Sequence, residues 1–235
     1  MGPAPRWEVV DLSGTVRELH ERSIGLLAAH EAGGRSGRAV VVHHPVDRAL
    51  VLGSAQKDDV VDMEACKAAG VDVVRRRSGG GAVLVDPDHI VWIDLFVPAG
   101  DPLWQHDVGR AAWWVGEAWA AALRPDLPSV SVWKGPMQRR LWSSLICFAG
   151  LGPGEVTLGA GPETPKVVGI SQRRTRAGAL FQCACIREWD PALLVWLLAL
   201  SSEDRHLCEK ALHTAAIGPD PELTEVTKRL FGALP

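Results

Sequence analysis

Three consecutive glycines, Gly79 to Gly81, place the strongest constraint on how this chain can fold. They stand between two short apolar segments, residues 71–74 and 82–85, so the local order is strand, loop, strand. A glycine inside regular structure costs roughly 1 kcal/mol relative to alanine. A run of three is therefore expected only where φ is positive or where another group must approach the backbone closely.

Positive charge precedes this glycine loop directly, in Arg75, Arg76 and Arg77, followed by Ser78. Backbone N–H groups in such a loop can hold an anionic oxygen, and the guanidinium groups add fixed positive charge. The pattern favours a ligand-binding loop, and the alternative is an ordinary hairpin turn between the two strands. The loop completes neither the P-loop pattern nor the dinucleotide-binding fingerprint.

The apolar periodicity predicts more strands than helices in the middle of the chain, without regular alternation. This order indicates an α+β fold with a central mixed or antiparallel sheet flanked by helices, and excludes a doubly wound Rossmann domain. The segments at 39–42 and 49–52 are predicted to be neighbouring strands. Predicted helices cover residues 15–32, 58–69 and 101–123, and further strands cover 9–12, 90–97, 130–133, 155–158, 167–172 and 179–187.

The length of 235 residues allows one large domain or two small ones, at roughly 100–200 residues per domain. We predict one catalytic domain over residues 1–190. Residues 191–235 carry three helical patterns and are predicted to form a tail that packs on this domain and is not an independent domain. The predicted tail helices cover residues 191–199, 203–213 and 221–230.

Composition excludes several classes of protein. The formal net charge is −3, so no overall basic field indicates nucleic acid as a partner. No uninterrupted apolar run reaches about 18 residues, so we expect no membrane span, and the first residues do not resemble a signal peptide. The five cysteines lack zinc-type spacing, which predicts free thiols in a reducing cytoplasm and no metal site.

Basic residues are concentrated in one stretch of the chain. Between residues 134 and 187 there are eight basic and two acidic residues. A localised basic surface suggests an anionic ligand or an acidic partner protein, and the alternative is a set of solvated loop arginines.

Three motifs resemble those of the lipoate–protein ligase A family, within the biotin/lipoate protein ligase superfamily. Residues 75–83 resemble its arginine-arginine-x-serine-triple-glycine-alanine-valine signature, and residues 166–173 resemble its lysine–glycine–glutamine segment. Gly53-Ser54-Ala55-Gln56 resembles the glycine-x-x-glutamine turn that precedes the glycine loop. The order and spacing agree over residues 40–187.

This resemblance implies a glycine loop that walls a tunnel for an acyl chain. It also implies a catalytic Lys166 that contacts the activated acyl carbonyl or its phosphate. A compact ammonium at the start of an apolar strand could stabilise developing negative charge, and the alternative is a surface lysine at a strand edge. The implied substrate-binding residues are Gln56, Arg75, Arg76, Ser78, Gly79, Gly80, Gly81, Ala82 and Gly169.

Cys147 lies 19 residues before Lys166 and precedes Phe148. This placement resembles that of octanoyltransferases of the same superfamily, which use a thioester intermediate and no nucleotide. Nearby cations would favour the nucleophilic thiolate, so Cys147 is a second catalytic candidate. The alternative is a small buried core residue.

The chain also departs from the family pattern at several positions. Only 69 residues follow Lys166, so the accessory domain of longer ligases is expected to be missing. Val85-Asp86 stands where ligases often show histidine-aspartate, and Asp88-His89 stands where they show glycine-asparagine. Gln182-Cys183 stands in place of histidine-glycine, and Gly53-Ser54 in place of glycine-arginine.

The leading hypothesis is a lipoate–protein ligase that uses ATP and Mg²⁺. It would attach lipoate or octanoate, through an acyl-adenylate, to a lysine of a lipoyl carrier domain or a glycine-cleavage H-type protein. The first alternative is octanoyl transfer from an acyl-carrier protein through a Cys147 thioester, without a cofactor. The second alternative is a non-catalytic member that binds acyl chains or lipoyl domains.

Overall fold

The computed structural model describes residues 7–31, 37–218 and 223–235. The strands of these ranges are β1 (Trp7–Gly14), β2 (Arg38–Pro45), β3 (Ala49–Leu52), β4 (Asp72–Arg75), β5 (Val83–Val85), β6 (Ile90–Pro98), β7 (Val130–Val132), β8 (Val156–Leu158), β9 (Lys166–Arg174) and β10 (Gly178–Ile186). The helices are α1 (Val16–Glu31), α2 (Met63–Ala69), α3 (Val108–Ala111), α4 (Trp113–Leu123), α5 (Pro191–Trp196), α6 (Ser202–Leu212) and α7 (Leu223–Ala233).

Seven of the described strands form one mixed sheet in the order β1-β2-β6-β10-β9-β8-β7. Only the β1–β2 pair in it is parallel, and the other neighbours are antiparallel. The α+β class with a mixed sheet flanked by helices is therefore confirmed. The central strand β6 is buried on both faces: Val91, Ile93, Leu95 and Val97 enter one apolar cluster, and Ile90 and Trp92 enter another.

A smaller sheet contains β4, β3 and β5 in that order, so the prediction that residues 39–42 and 49–52 are neighbouring strands is wrong. The first segment lies in the large sheet and the second in the small one. The link between them is fixed at the junction of β1 and α1, because Val46 N–H donates to Gly14 O and Asp47 Oδ1 accepts from Val16 N–H. The chain therefore changes sheets at this corner.

The glycine loop does not form a hairpin turn. β4 is parallel to β3 on one side, and β5 is antiparallel to β3 on the other, so the two strands that the loop joins do not pair with each other. The loop instead crosses the end of β3. The hairpin alternative is therefore wrong.

Two helices begin later than predicted. Asp107 caps α3 by accepting a hydrogen bond from Gly109 N–H, whereas Asp101 binds Leu103 N–H and the buried guanidinium of Arg38. Asp101 therefore starts a turn and not a helix. In the same way, residues 58–60 form a short 3₁₀ turn, Asp62 caps α2, and Gly70 ends it at a φ of 64°.

The C-terminal helices contribute to both main apolar clusters. In α7, Val226 and Leu230 are buried in the cluster that covers the large sheet. α5 and α6 pack in the cluster that contains the small sheet. α5 is shorter than predicted, because Leu197 O accepts from Asp62 N–H and turns the chain away. The predicted start at residue 221 lies outside the described residues, and the division at residue 190 stays a prediction.

Candidate active site

A narrow cavity of about 50 Å³ lies between the two sheets, bounded by α1 and by residues 147–148. Its wall is mostly apolar, and its polar groups are few. The apolar lining consists of Val51, Val83, Val85, Ile90, Trp92, Phe148 and Ala184. The remaining lining residues are His20, Arg76, Cys147, Gly169, Ser171 and Gln182. A slender apolar space with a few polar groups suits an alkyl chain that carries one reactive end.

Close backbone approach explains the glycines beside this cavity. Gly80 has a φ of 101°, and a Cβ atom there would lie 2.8 Å from Arg76 Nη2 and 3.8 Å from Cys147 Sγ. A Cβ at Gly81 would lie 2.6 Å from the carbonyl carbon of Ile146, and one at Gly53 would lie 1.9 Å from Gly80 O. A Cβ atom at Gly79 would have no other atom within 4 Å. The loop therefore packs directly on the segment that carries Cys147.

Free hydrogen-bond donors converge at this loop. Within the described ranges, the backbone N–H groups of Gly79, Gly80 and Gly81 have no acceptor. Arg76 holds the loop, since Nη1 donates to Val51 O and Nη2 donates to Gly79 O and Gly81 O at 2.7 and 2.9 Å. Its buried Nε–H has no partner there. Such a set of donors fits an anionic oxygen.

Burial lowers the pKa of Arg76 from its ordinary value, while the neighbouring Cys147 and Glu155 oppose this shift. The guanidinium is therefore a desolvated cation at the cavity wall. An anionic group bound beside it would offset the cost of that burial.

Lys166 is buried at the start of β9, with a side chain 2% exposed, so the surface-lysine alternative is wrong. Its Nζ lies 2.8 Å from Glu155 Oε2 and donates to Cys147 O at 2.9 Å. The ammonium also lies 5.2 Å from the centre of the Phe148 ring. Residues 215–217 cover the strand here, because Lys166 N–H donates to Ala215 O and Ile217 N–H donates to Lys166 O.

Glu155 is a site residue that the sequence analysis did not single out. Its carboxylate is buried and accepts from Gly152 N–H at 2.6 Å and Ile170 N–H at 3.1 Å, besides pairing with Lys166. These bonds hold the ammonium beside the Cys147 carbonyl. One signal was present in the sequence, because Glu155 is one of only two acidic residues in the basic stretch.

Cys147 begins a 3₁₀ turn and lines the cavity while half-buried. Its N–H donates to Ala82 O, and Ala82 N–H donates to Leu145 O, which places Ala82 and the thiol at the edge of the loop. The other four cysteines are buried. Burial raises the pKa of Cys185 to about 12, and it raises the pKa of Cys183 as well. Cys147 is therefore the accessible thiol of the described chain.

Of the nine predicted substrate-binding residues, Arg76 and Gly169 line the cavity and the other seven do not. Arg75 is exposed, where it donates to Gly53 O at 2.9 Å and pairs with Asp58 at 2.5 Å. Gln56 accepts from Gly53 N–H and donates to Leu145 O. Both residues brace the turn at 53–56 against the glycine loop and the segment before Cys147.

Ser78 connects the glycine loop to a polar group at the cavity wall. Its Oγ lies 3.0 Å from Ser171 Oγ and donates to Gln182 Oε1 at 2.9 Å. Gln182 Nε2 lies 3.3 Å from Nδ1 of His20. His20 comes from α1, more than 50 residues before the loop, and sequence reasoning missed it because only the tertiary fold brings it here.

The comparisons with known proteins agree with this geometry. The family model of the lipoyl protein ligase A/B catalytic domain matches residues 26–217, which is most of the chain. The chain belongs to this family. A comparison with curated protein sequences finds no match.

Solved structures with the same fold include several lipoate ligases. A bipartite lipoate protein ligase from Thermoplasma acidophilum, described with its E2 lipoyl domain, has a TM-score of 0.76 and 16% identity, over 97% of this chain and 82% of that one. A lipoate-protein ligase A bound with ATP has a TM-score of 0.70 and 18% identity, over 98% and 84%. LipL1 of P. falciparum in complex with lipoate has a TM-score of 0.65 and 11% identity, over 97% and 61%.

The cavity of this lipoyl protein ligase A/B domain contains two of the positions that depart from the family motifs. Val85 and Gln182, where ligases often show histidine, both line it. An imidazole is nonetheless present, supplied by His20 from another element. Among the described residues, no group of three histidine, cysteine, aspartate or glutamate side chains could hold a metal ion. No described helix has the length and apolar character needed to cross a membrane.

Proposed function

We propose that this lipoyl protein ligase A/B domain is an ATP-dependent ligase that joins lipoate or octanoate to a lysine of a carrier domain. The observation that carries the proposal is the set of free donors in the glycine loop, which packs on Cys147 beside an apolar cavity. The N–H groups of Gly79 to Gly81 and the Nε–H of Arg76 face no acceptor in the described chain. A thioester route would use donors for one oxyanion at a time, whereas an acyl-adenylate carries a phosphate as well, so this number of donors favours the adenylate.

The acyl chain would lie in the cavity with its carboxyl group at the end formed by Arg76, Cys147 and Phe148. ATP, when bound with Mg²⁺, would supply the leaving group that a free carboxylate lacks. The glycine-loop N–H groups and Arg76 would hold the anionic oxygens there. This region fits an anionic group because its buried Arg76 Nε–H lacks a partner.

Lys166 would stabilise negative charge on the acyl oxygen. An ammonium group has three donors, and two of them are used by Glu155 and the Cys147 carbonyl. The third has no acceptor among the described residues. Glu155 fixes the position of Nζ, so the charge is already oriented before the reaction, which is the condition for electrostatic stabilisation of a transition state.

The proposed acceptor is a lysine of a lipoyl carrier domain or of a glycine-cleavage H-type protein. The relative from Thermoplasma acidophilum is described together with an E2 lipoyl domain, which supports this choice. The basic stretch at residues 134–187 suits an acidic carrier surface. The five free cysteines suit the reducing conditions of the cytoplasm.

Octanoyl transfer from an acyl-carrier protein is a second candidate. The specific observation in its favour is that the Cys147 thiol lines the cavity while the other four cysteines are buried. In this reaction the Cys147 thiolate would attack the thioester of the acyl-carrier protein and release the thiol of that protein. The lysine of the lipoyl carrier domain would then attack the Cys147 thioester, which forms the amide and releases the thiolate.

The intact mass of a lipoyl domain distinguishes these candidates. The domain is incubated with the protein and lipoate or octanoate, with and without ATP and Mg²⁺, and separately with octanoyl-acyl-carrier protein. We expect a mass increase only with ATP. If octanoyl-acyl-carrier protein acylates the lipoyl domain without ATP, the transferase proposal replaces the ligase proposal. No acylation under any condition would favour the non-catalytic alternative.

A further inference from the structure

His20 is one of the polar residues of the cavity that the proposed chemistry leaves without a role. It lies on the buried side of α1 and is 9% exposed. Its ring centre lies 4.5 Å from that of Trp92, and both rings line the cavity. Burying a histidine in an apolar wall is costly unless its ring nitrogens form hydrogen bonds. These hydrogen bonds also decide which ring nitrogen can donate to a ligand.

A chain of hydrogen bonds fixes the proton on the His20 ring. In the orientation that the structure assigns to Gln182, Oε1 accepts from the Ser78 hydroxyl and the NH₂ group faces His20. That group donates to His20 Nδ1 at 3.3 Å. A ring nitrogen that accepts a hydrogen bond carries no proton, so the proton of the neutral ring lies on Nε2.

The His20 ring is neutral in the folded protein. Burial lowers the pKa of His20 to about 4, with smaller lowering effects from His43 and Arg76 and an opposing effect from Asp94. Nε2 has no hydrogen-bond partner among the described residues. The cavity is therefore offered one uncharged N–H donor.

The sheet register shows how far this donor lies from the reactive end. Gly169, Ala184 and Trp92 form one row across β9, β10 and β6. Phe148 lies above Gly169, and His20 lies beside Trp92. Because His20 also contacts Gln182 on the middle strand, its ring lies one to two strand spacings from Gly169, or roughly 5–10 Å. An acyl group whose carbonyl lies at the Cys147 end would therefore reach His20 with its distal carbons.

We propose that His20 is a specificity-determining residue that donates from Nε2 to an acceptor atom in the distal part of the acyl chain. This inference rests on the proposed function, because it assumes that the cavity holds the acyl group. A plain alkyl chain would leave the N–H buried without a partner, which disfavours binding. The preferred ligands are medium-chain acids that carry a neutral acceptor. A ketone oxygen is a strong acceptor of this kind, and the dithiolane sulfur of lipoate is a weak one.

Calorimetric titration of the full chain tests this without catalysis. The probes are octanoate and the oxo-octanoates that carry a ketone at successive carbons of the distal half. We expect at least one oxo-octanoate to bind about tenfold more tightly than octanoate, and this advantage to vanish in His20→Phe. His20→Gln, which retains an N–H donor, should recover part of it. The matched control is His206→Phe on the exposed side of α6, which should keep the full advantage.

The outcomes separate this inference from the proposed function. If octanoate binds but no oxo-octanoate binds more tightly, or if His20→Phe keeps the advantage, the role of His20 is wrong and the acyl site stands. If neither octanoate nor any oxo-octanoate binds, the acyl site itself is wrong and the inference fails with it. Should His20→Phe not fold, His20→Leu also removes the donor, and the advantage should again disappear.

Discussion

Two buried ion pairs lie in different parts of this molecule, and their difference shows what marks a reactive site. The side chains of Lys166 and Glu155 are 2% and 5% exposed, and those of Arg38 and Asp101 are 4% and 6% exposed. Their N–O distances are also similar, at 2.8 and 3.0 Å. Burial and pairing alone therefore do not distinguish them.

The two pairs differ in what surrounds them. Arg38 directs Nε and Nη2 at Asp101 and Nη1 at Pro235 O, so each nitrogen of its guanidinium has a partner. Lys166 retains one donor, and it binds the carbonyl of a residue that lines the cavity. We therefore expect Lys166, which lies beside the cavity, to act in catalysis, and Arg38, which ties β2 to the C-terminus, to act in stability.

The largest expected effect separates the two pairs by activity. Lys166→Met and Arg38→Met should each destabilise the fold by about 3–5 kcal/mol, because each leaves a buried carboxylate unpaired. Only Lys166→Met should also lower carrier acylation per folded molecule, on the order of 10²-fold or more. Urea unfolding and kcat/KM, measured where both variants are folded, check this. An equal loss of kcat/KM in Arg38→Met would remove the distinction.

The glycine loop allows a matched pair of substitutions at the reactive end. Gly81→Ala should cost about 1–3 kcal/mol and weaken octanoate binding, because its Cβ would lie 2.6 Å from the backbone of Ile146. Gly79→Ala should stay within about 0.5 kcal/mol, since nothing lies within 4 Å of that Cβ. Thermal unfolding and calorimetric titration check both. Equal effects at the two positions would show that the loop packing described above is wrong.

The distal end of the cavity should make stability depend on pH. The pKa of His20 is about 4 when folded and 6.5 when unfolded, so the unfolded chain binds the extra proton between these values. The contribution of His20 to the free energy of unfolding should therefore be complete above about pH 6.5. It should fall as the pH is lowered towards 4, by up to roughly 1.4 kcal/mol per pH unit. Urea unfolding at several pH values should show a smaller slope for His20→Phe. An unchanged slope would contradict this account of His20.

The smallest expected effect concerns Cys147. In an ATP-dependent ligase the thiol takes no part in bond formation, so Cys147→Ser should leave ATP-dependent acylation of the carrier within about threefold of the parent. The check is the rate of carrier mass increase. Abolished activity, together with an acyl group on Cys147 after mixing with octanoyl-acyl-carrier protein, would favour the transferase.

Local motifs made part of the site predictable. Lys166, Cys147 and the glycine loop each carry a short pattern, and the structure places the lysine and the loop next to Cys147, which lines the cavity. Glu155 and His20 could not be predicted in the same way, because each depends on contacts between distant segments. Glu155 meets Lys166 across neighbouring strands, and His20 reaches the loop through Gln182.

The fold was predictable to a similar depth. The apolar pattern predicted β6 and the mixed sheet. β6 is buried along almost its whole length, so its residues are apolar irrespective of which strands pair with it. Strand pairing was harder, because the separation of β2 from β3 depends on the hydrogen bonds of Val46 and Asp47 at the corner. The late start of α3 was likewise hidden, because Asp101 accepts from both Leu103 N–H and Arg38 and starts a turn instead of a helix.

The most direct test of the account removes the buried charge and keeps the fold. In Lys166→Met with Glu155→Gln, no unpaired charge is buried, and the amide oxygen can still accept a backbone hydrogen bond. The account predicts that the double variant regains stability relative to Lys166→Met, while carrier acylation stays on the order of 10²-fold below the parent. Acylation that recovers together with stability would show that Lys166 is structural and would contradict the account.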